Sequence, residues 1–212
     1  MAQVLVVGSG DHAKVVLEIL EDMEDVSIVG CVAKDPESFS ILDYHVLGDD
    51  SILPALYRTT AKHAIVAIGD CKIRLAMTLH LKELGFSLIN AISPRAVVSR
   101  RAQIGDGVAV MAGAVINVDA EIGDSVIVNT GSTVDHDCRI GRCAHIAPGA
   151  HLAGRVQIGE GAFIGIGACL IPRVKVGEWS TIGAGSVVVR DIPAHVTAMG
   201  VPATVHRRSR SC

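Results

Sequence analysis

Residues 119–154 read DAEIGDSVIVNTGSTVDHDCRIGRCAHIAPGAHLAG, and this stretch repeats its own pattern every six residues. Ile122, Val128, Val134, Ile140, Ile146 and Leu152 are aliphatic at that period. Four residues after each stands a smaller side chain: Val126, Ser132, Cys138, Ala144, Ala150 and Val156. Followed outward in both directions, the large position stays aliphatic from Ile92 to Val188. An α-helix turns every 3.6 residues, so a stripe of period six would wind around its surface, and a single alternating strand holds no such large/small pair. A second period overlies the first, because Gly105, Gly123, Gly141, Gly159 and Gly177 recur at intervals of eighteen. Three hexads therefore make one coil of a triangular prism with short strands on its flat faces. Aliphatics stack along its axis, and glycines are expected where a tight corner needs backbone freedom. Ile92 to Val188 gives about five and a half such coils.

The preceding ninety residues follow another rule. Strand-like QVLVV, VSIVGCVA, HVLG, HAIVAIG and FSLINAI alternate with helical AKVVLEILEDM, a helix from Ser51 and IRLAMTLHLKELG, which predicts a small α/β domain with a parallel sheet. Its first turn, Gly8-Ser9-Gly10-Asp11-His12-Ala13, satisfies GxGxxA between a strand and a helix, the form that lets backbone N–H groups approach a diphosphate. A dinucleotide, a nucleotide-sugar or plain turn chemistry all suit it. Asp35 falls near the end of the second strand, where a ribose-binding acid is expected. About ninety residues supply only one mononucleotide half, which argues against an NAD-dependent oxidoreductase. The expected layout is thus a Rossmann-like α/β domain over 1–91, a parallel β-helix over 92–190 and a C-terminal tail over 191–212.

Composition agrees with a prism. Half of the residues are apolar but only 3% are aromatic, so Val, Ile, Leu and Ala must fill the core. A net charge of −3 gives no electrostatic case for nucleic acid. Six cysteines without a CxxC pair, and an N-terminus lacking a basic and apolar leader, point to a reduced cytoplasmic setting. No apolar run reaches the roughly 18 residues of a spanning helix, so membrane insertion is not expected, nor is a metal site.

Polar residues that serve chemistry in so strict a repeat should occupy outward positions, and VNTGSTVDHDCRIGRCAHIAPGAHLAG is where they concentrate. His136 and Asp137 are both outward, and His145 and His151 follow. A neutral imidazole suits removal of a proton from an amine or hydroxyl, and a carboxylate can fix its tautomer. Neighbours in a strand point to opposite faces, so a contact between Asp137 and His136 requires the corner to bend. Cys138 falls on an inward position and reads as core.

The repeat resembles the hexapeptide-repeat acyltransferases. The whole chain is similar to sugar acetyltransferases of the PglD and NeuD type, through VVGSGDHAKVV, VLGDD, AIGDCKIR, VNTGSTVDHDCRIG, HIAPGAHLAG and GVPATV. That resemblance implies a left-handed parallel β-helix, a homotrimer, and acetyl-CoA as co-substrate in clefts between prisms. It also implies a nucleotide-linked amino sugar as acceptor, such as GDP-perosamine or a UDP-linked 4-amino-4,6-dideoxy sugar of O-antigen or polysaccharide biosynthesis. Carried over by position, His136 is the base, Asp137 its support, and His145, Ile166 and Ala184 contact acetyl-CoA. Gly8, Ser9, Gly10 and His12 lie at the diphosphate, with Lys34 and Asp35 near the base or ribose and Gly69, Asp70 and Arg74 bordering the pocket. Asp137 stands where Glu is frequent, and Asp11 where Gly is common. The residues leave open an O-acetyltransferase of a sialic-acid-like sugar, and a nucleotide-binding scaffold without chemistry. The glycine turn favours the amine, since a nucleotide-linked substrate needs a diphosphate site.

Overall fold

The computed structural model describes residues 1–33 and 40–208. The chain divides into two compact units, Met1–Ala91 and Ile92–Cys212.

In the first unit β1 (Ala2–Val7), α1 (Asp11–Glu21) and β2 (Val26–Val32) form a parallel strand-helix-strand start to the sheet. There follow β3 (Ser40–Ile41), β4 (Tyr44–Gly48), α2 (Leu53–Thr59), β5 (His63–Val66), α3 (Cys71–Glu83) and β6 (Ser87–Leu88). Sheet order is β3-β4-β2-β1-β5-β6, parallel except for the β3–β4 hairpin. Leu5, Val7, Val32, Ala64 and Val66 are buried in one core with Leu53, Leu81 and Phe86, so the strands read as nearly continuous apolar runs. From β1 the chain goes first to β2 on one side and later to β5 on the other. The carboxyl end of β1 is therefore a switch point, where open α/β sheets bind ligands.

In the second unit the described residues form three parallel stacks of two-residue strands. Ala109–Val110, Ile127–Val128, His145–Ile146, Phe163–Ile164 and Thr181–Ile182 belong to the first stack. Val97–Val98, Val115–Ile116, Thr133–Val134, His151–Leu152, Cys169–Leu170 and Val187–Val188 make the second. Gln103–Ile104, Glu121–Ile122, Arg139–Ile140, Gln157–Ile158 and Lys175–Val176 make the third. Each strand pairs with the one eighteen residues away, as Glu121 with Arg139 and Arg139 with Gln157. The object is a left-handed parallel β-helix. Large and small inward positions, such as Ile140 with Cys138 and Ile146 with Ala144, join one axial core. Burying each aliphatic there stabilises by about 1.5–3 kcal/mol.

Two expectations meet a different outcome. FSLINAI is split, with Ser87–Leu88 closing the first sheet and Ala91–Ile92 opening the prism. Residues 191–212 were expected as a tail, yet Val196–Met199 pairs with Thr181–Ile182, and Thr204–Arg208 folds back on it. Val196, Ala198 and Ala203 are buried in the axial core, so this hairpin closes the end of the coil.

The glycine ladder has another cause than corner freedom. Left-handed backbone is instead adopted by Asp119, Ser125, Asp137, Cys143, Arg155 and Trp179, and by glycines outside the ladder. A Cβ on Gly123 would stand 2.7 Å from the Arg142 nitrogen, and one on Gly141 2.6 Å from that of Glu160. The ladder residues are glycine because the next coil's backbone occupies the place of a side chain. Gly141→Val should cost about 3 kcal/mol, in the upper range for overpacking, and lower Tm by roughly 10 °C. A calorimetric Tm within 2 °C of the parent's would contradict this account.

Candidate functional site

In the prism, the turn after Thr133–Val134 carries Asp135, His136 and Asp137. Asp135 Oδ1 accepts the His136 N–H at 2.7 Å and the Asn117 side-chain amide at 3.0 Å, which pins the approach to the corner. Asp137 then takes φ +58°, a left-handed conformation that aspartate tolerates better than most residues. That bend swings its carboxylate onto its neighbour: His136 Nδ1 lies 2.7 Å from Asp137 Oδ2. The hydrogen bond to His136, with Arg155 assisting, holds the Asp137 carboxyl below the usual range, so it is ionised at neutral pH. A carboxylate only accepts, so Nδ1 carries a proton, and in the neutral ring Nε2 is the nitrogen that keeps its lone pair. With the side chains half exposed, this pair can take a proton from a group approaching Nε2.

His145 is outward in register yet only 8% exposed, so it is no solvated surface residue. Asn129 Oδ1 accepts from the Thr130 N–H at 2.8 Å, which turns the Asn129 amide nitrogen toward His145 Nε2 at 3.1 Å. The His145 ring meets Phe163 edge-on, with centroids 5.1 Å apart. His145 Nε2 is thus an acceptor and its tautomer is fixed by a packed amide. Ile166 and Ala184 stack one coil apart on the corner between the first and second sheets, tied by Gly185 N–H donating to the Ile166 carbonyl at 2.7 Å. Ile166 is 59% exposed. His136 stands on the other border of the second sheet, between the second and third, so that sheet separates it from Ile166 and Ala184. Cys138 points inward and donates to the Ala153 carbonyl, and burial pushes its thiol up to about 11, which suits core and not a nucleophile.

In the first unit a cavity of about 380 Å³ opens at the switch point. Gly8, Ser9, Gly10 and His12 line it, and across from them lie Gly69 and the apolar Val32, Ala33, Ile68, Ile73 and Met77. Gly8 has φ +129°, and a Cβ there would stand 2.6 Å from the Ala67 carbonyl oxygen. A Cβ on Gly10 meets nothing within 4 Å, so its missing side chain leaves open space at the amino end of α1. Burial, with the Arg74 guanidinium nearby, lowers His12 to about 4, so at neutral pH it is an uncharged imidazole. Asp70 and Arg74 do not line the cavity. Asp70 caps α3, accepting the Lys72 and Ile73 N–H groups at 2.9 Å each. Arg74, 1% exposed, donates to the carbonyls of Ile68 at 2.9 Å and Gly69 at 2.8 Å and so shapes the loop from behind. Lys34 and Asp35 lie outside the described residues.

Sequence reading missed Asn129 and Phe163 around His145, and Gly154 and Arg155 beside His136. The only signal for the last two was their distance of eighteen from His136 and Asp137.

Comparison with known proteins adds the chemistry. The PglD N-terminal domain matches residues 3–80, and the bacterial transferase hexapeptide (six repeats) matches 119–154 and 155–190. The chain belongs to the hexapeptide-repeat sugar acetyltransferases of the PglD type and is an acyltransferase. Among solved structures, it is similar to PerB from Caulobacter crescentus in complex with CoA and GDP-perosamine, at 47% identity and TM-score 0.93 over 97% of this chain and 98% of that one. Variants of the Caulobacter crescentus perosamine N-acetyltransferase with one histidine replaced by asparagine or by alanine, in complex with the same two molecules, match at 46% identity and TM-score 0.94 over 97% of each chain. The acetyltransferase domain of PglB from Neisseria gonorrhoeae, in complex with acetyl coenzyme A, matches at 40% identity and TM-score 0.90 over 96% of this chain and 98% of that one. No curated protein matches the chain. Among the described residues no helix is long and apolar enough to cross a membrane.

Proposed function

We propose that this chain moves the acetyl group of acetyl-CoA onto the 4-amino group of GDP-perosamine, or of a closely related nucleotide-linked 4-amino-4,6-dideoxy sugar, in the cytoplasm, where acetyl-CoA is supplied. The observation that carries this reading is the near full-length similarity to PerB, whose complex holds both CoA and GDP-perosamine, in a chain that also sets His136 against Asp137.

The first unit holds the nucleotide and the prism carries the transfer. Backbone N–H groups at Ser9-Gly10 and the amino end of α1 take the diphosphate, while the Gly8 N–H is held by the Val32 carbonyl at 2.8 Å. His136 Nε2 removes one proton from the neutral sugar amine as it attacks, and the nitrogen adds to the thioester carbonyl. His145 stands by the carbonyl oxygen or the thioester as a fixed polar contact. The tetrahedral intermediate then expels the CoA thiolate, which is protonated from the His136 imidazolium, giving the N-acetyl sugar and free CoA thiol. Asp137 steadies the imidazolium and keeps its orientation.

A homotrimer completes this reading. Since the second sheet lies between His136 and the corner of Ile166 and Ala184, a neighbouring copy can present that corner to His136 and close a CoA cleft. Incubation of the purified protein with acetyl-CoA and GDP-perosamine, with thiol release and product mass followed together, should give one acetyl per sugar nitrogen. No turnover with GDP- or UDP-linked 4-amino sugars, alongside acetylation of a free sugar hydroxyl, would overturn the proposal.

A further inference from the structure

We propose that Gly154 and Arg155, one coil beyond His136 and Asp137, are positioning residues for that pair: the missing side chain of Gly154 provides the resting place of the imidazole, and Arg155 braces the carboxylate. This rests on the reading of His136 as the base.

A Cβ placed on Gly154 would lie 2.5 Å from both Cε1 and Nε2 of His136 and 3.2 Å from Cδ2. The three nearest atoms all belong to this one ring, and they include the nitrogen that must stay open to the substrate. Gly154 is therefore unlike the ladder glycines, whose missing side chains make room for backbone. It is unlike Gly113 or Gly131 as well, since its backbone is not in the left-handed region and would accept alanine without strain. What it cannot accept is alanine and the present imidazole together. With the ring lying against the next coil, His136 Nδ1 meets Asp137 and Nε2 is aimed along one direction.

The neighbouring residue treats Asp137 in the same way. Arg155 donates its backbone N–H to the His136 carbonyl at 2.9 Å, which ties the two corners together. Its Nε approaches Asp137 Oδ2 at 3.5 Å, on the oxygen that also meets His136 Nδ1. The carboxylate is held from two sides, so its rotation away from the imidazole costs two contacts instead of one. Arg155 itself sits at φ +64°, repeating the left-handed turn of Asp137. The bent corner is therefore copied coil to coil, and the second copy supports the first.

Steady-state kinetics and thermal midpoints test this on the full-length protein. Gly154→Ala should lower kcat by about 10- to 100-fold, the scale set by displacing a reacting group by an ångström, with both KM values within threefold of the parent's. In a His136→Ala background the same substitution should change neither residual kcat nor the thermal midpoint, because the added methyl then has no ring to displace. Arg155→Gln should lower kcat several-fold and Arg155→Lys should recover part of it. Parental kcat in Gly154→Ala would overturn the inference, as would an equal loss of stability with and without His136. Full activity of His136→Ala alone would instead sink the assignment of the base, so the two failures are told apart.

Discussion

Replacing His136 by alanine or asparagine lowers kcat by about 10² to 10⁴, the span for losing a positioned general base, and leaves the Kd for acetyl-CoA nearly unchanged. The size follows from the geometry. Nδ1 is occupied by Asp137 at 2.7 Å, so Nε2 is the ring's remaining proton acceptor. Asparagine keeps a polar group near that place but has no nitrogen lone pair for a proton, and alanine removes the group. Neither change reaches the core, since the His136 side chain is half exposed and outward of the axial stack. Stopped reactions at saturating substrates, with acetyl-CoA affinity measured by calorimetry, provide the check. Turnover within threefold of the parent's would show that the proton leaves by another route.

Gly10→Val lowers kcat/KM for the nucleotide-sugar by about 10²-fold or more, and leaves acetyl-CoA binding unaltered. The position is suited to this test because its Cβ direction is empty, so valine should be tolerated by the folded unit while its isopropyl group would stand where the proposed substrate's diphosphate approaches the backbone. Gly8→Val would be a poor substitute, since a Cβ there meets the Ala67 carbonyl and the loss would mix folding with binding. On the proposed reading the nucleotide is part of what the enzyme binds in the transition state, so the loss should appear in kcat/KM for the sugar. A defect confined to the KM for acetyl-CoA would mean that the glycine turn serves another ligand.

The prism was legible because its period is carried by the large aliphatics, which have no other reason to recur every six residues. The reason for the glycine ladder was not legible. A period of eighteen in sequence looks the same whether glycine is needed for a positive φ or for an approaching backbone, and only the close approach of the Glu160 backbone to Gly141 separates the two. The contact between His136 and Asp137 ran against strand alternation, and it exists because Asp137 leaves the strand region altogether. Asp70 and Arg74 illustrate the opposite limit. Their motif pointed to the pocket, and the pocket is nearby, but one residue caps a helix and the other holds carbonyls from behind. Neither role changes the spacing of residues in the chain, so sequence cannot distinguish it from ligand contact.

The in-register stacking of coils also restricts how such a chain can change length. From Val97 to Val188 each coil is linked to the next by the same pairing at a separation of eighteen, so an insertion or deletion of a whole coil there restores all pairings on either side. A loss of one residue would instead turn outward Arg139 or Gln157 toward the axis and expose their aliphatic neighbours for every coil downstream. Length is thus quantised in this half of the molecule. The indivisible segment is the one from Asn117 to Arg155, whose corners brace one another around His136. An extra coil placed beyond Lys175 lengthens the prism and leaves that segment intact, whereas one placed between Asp137 and Gly154 parts the imidazole from the glycine beneath it.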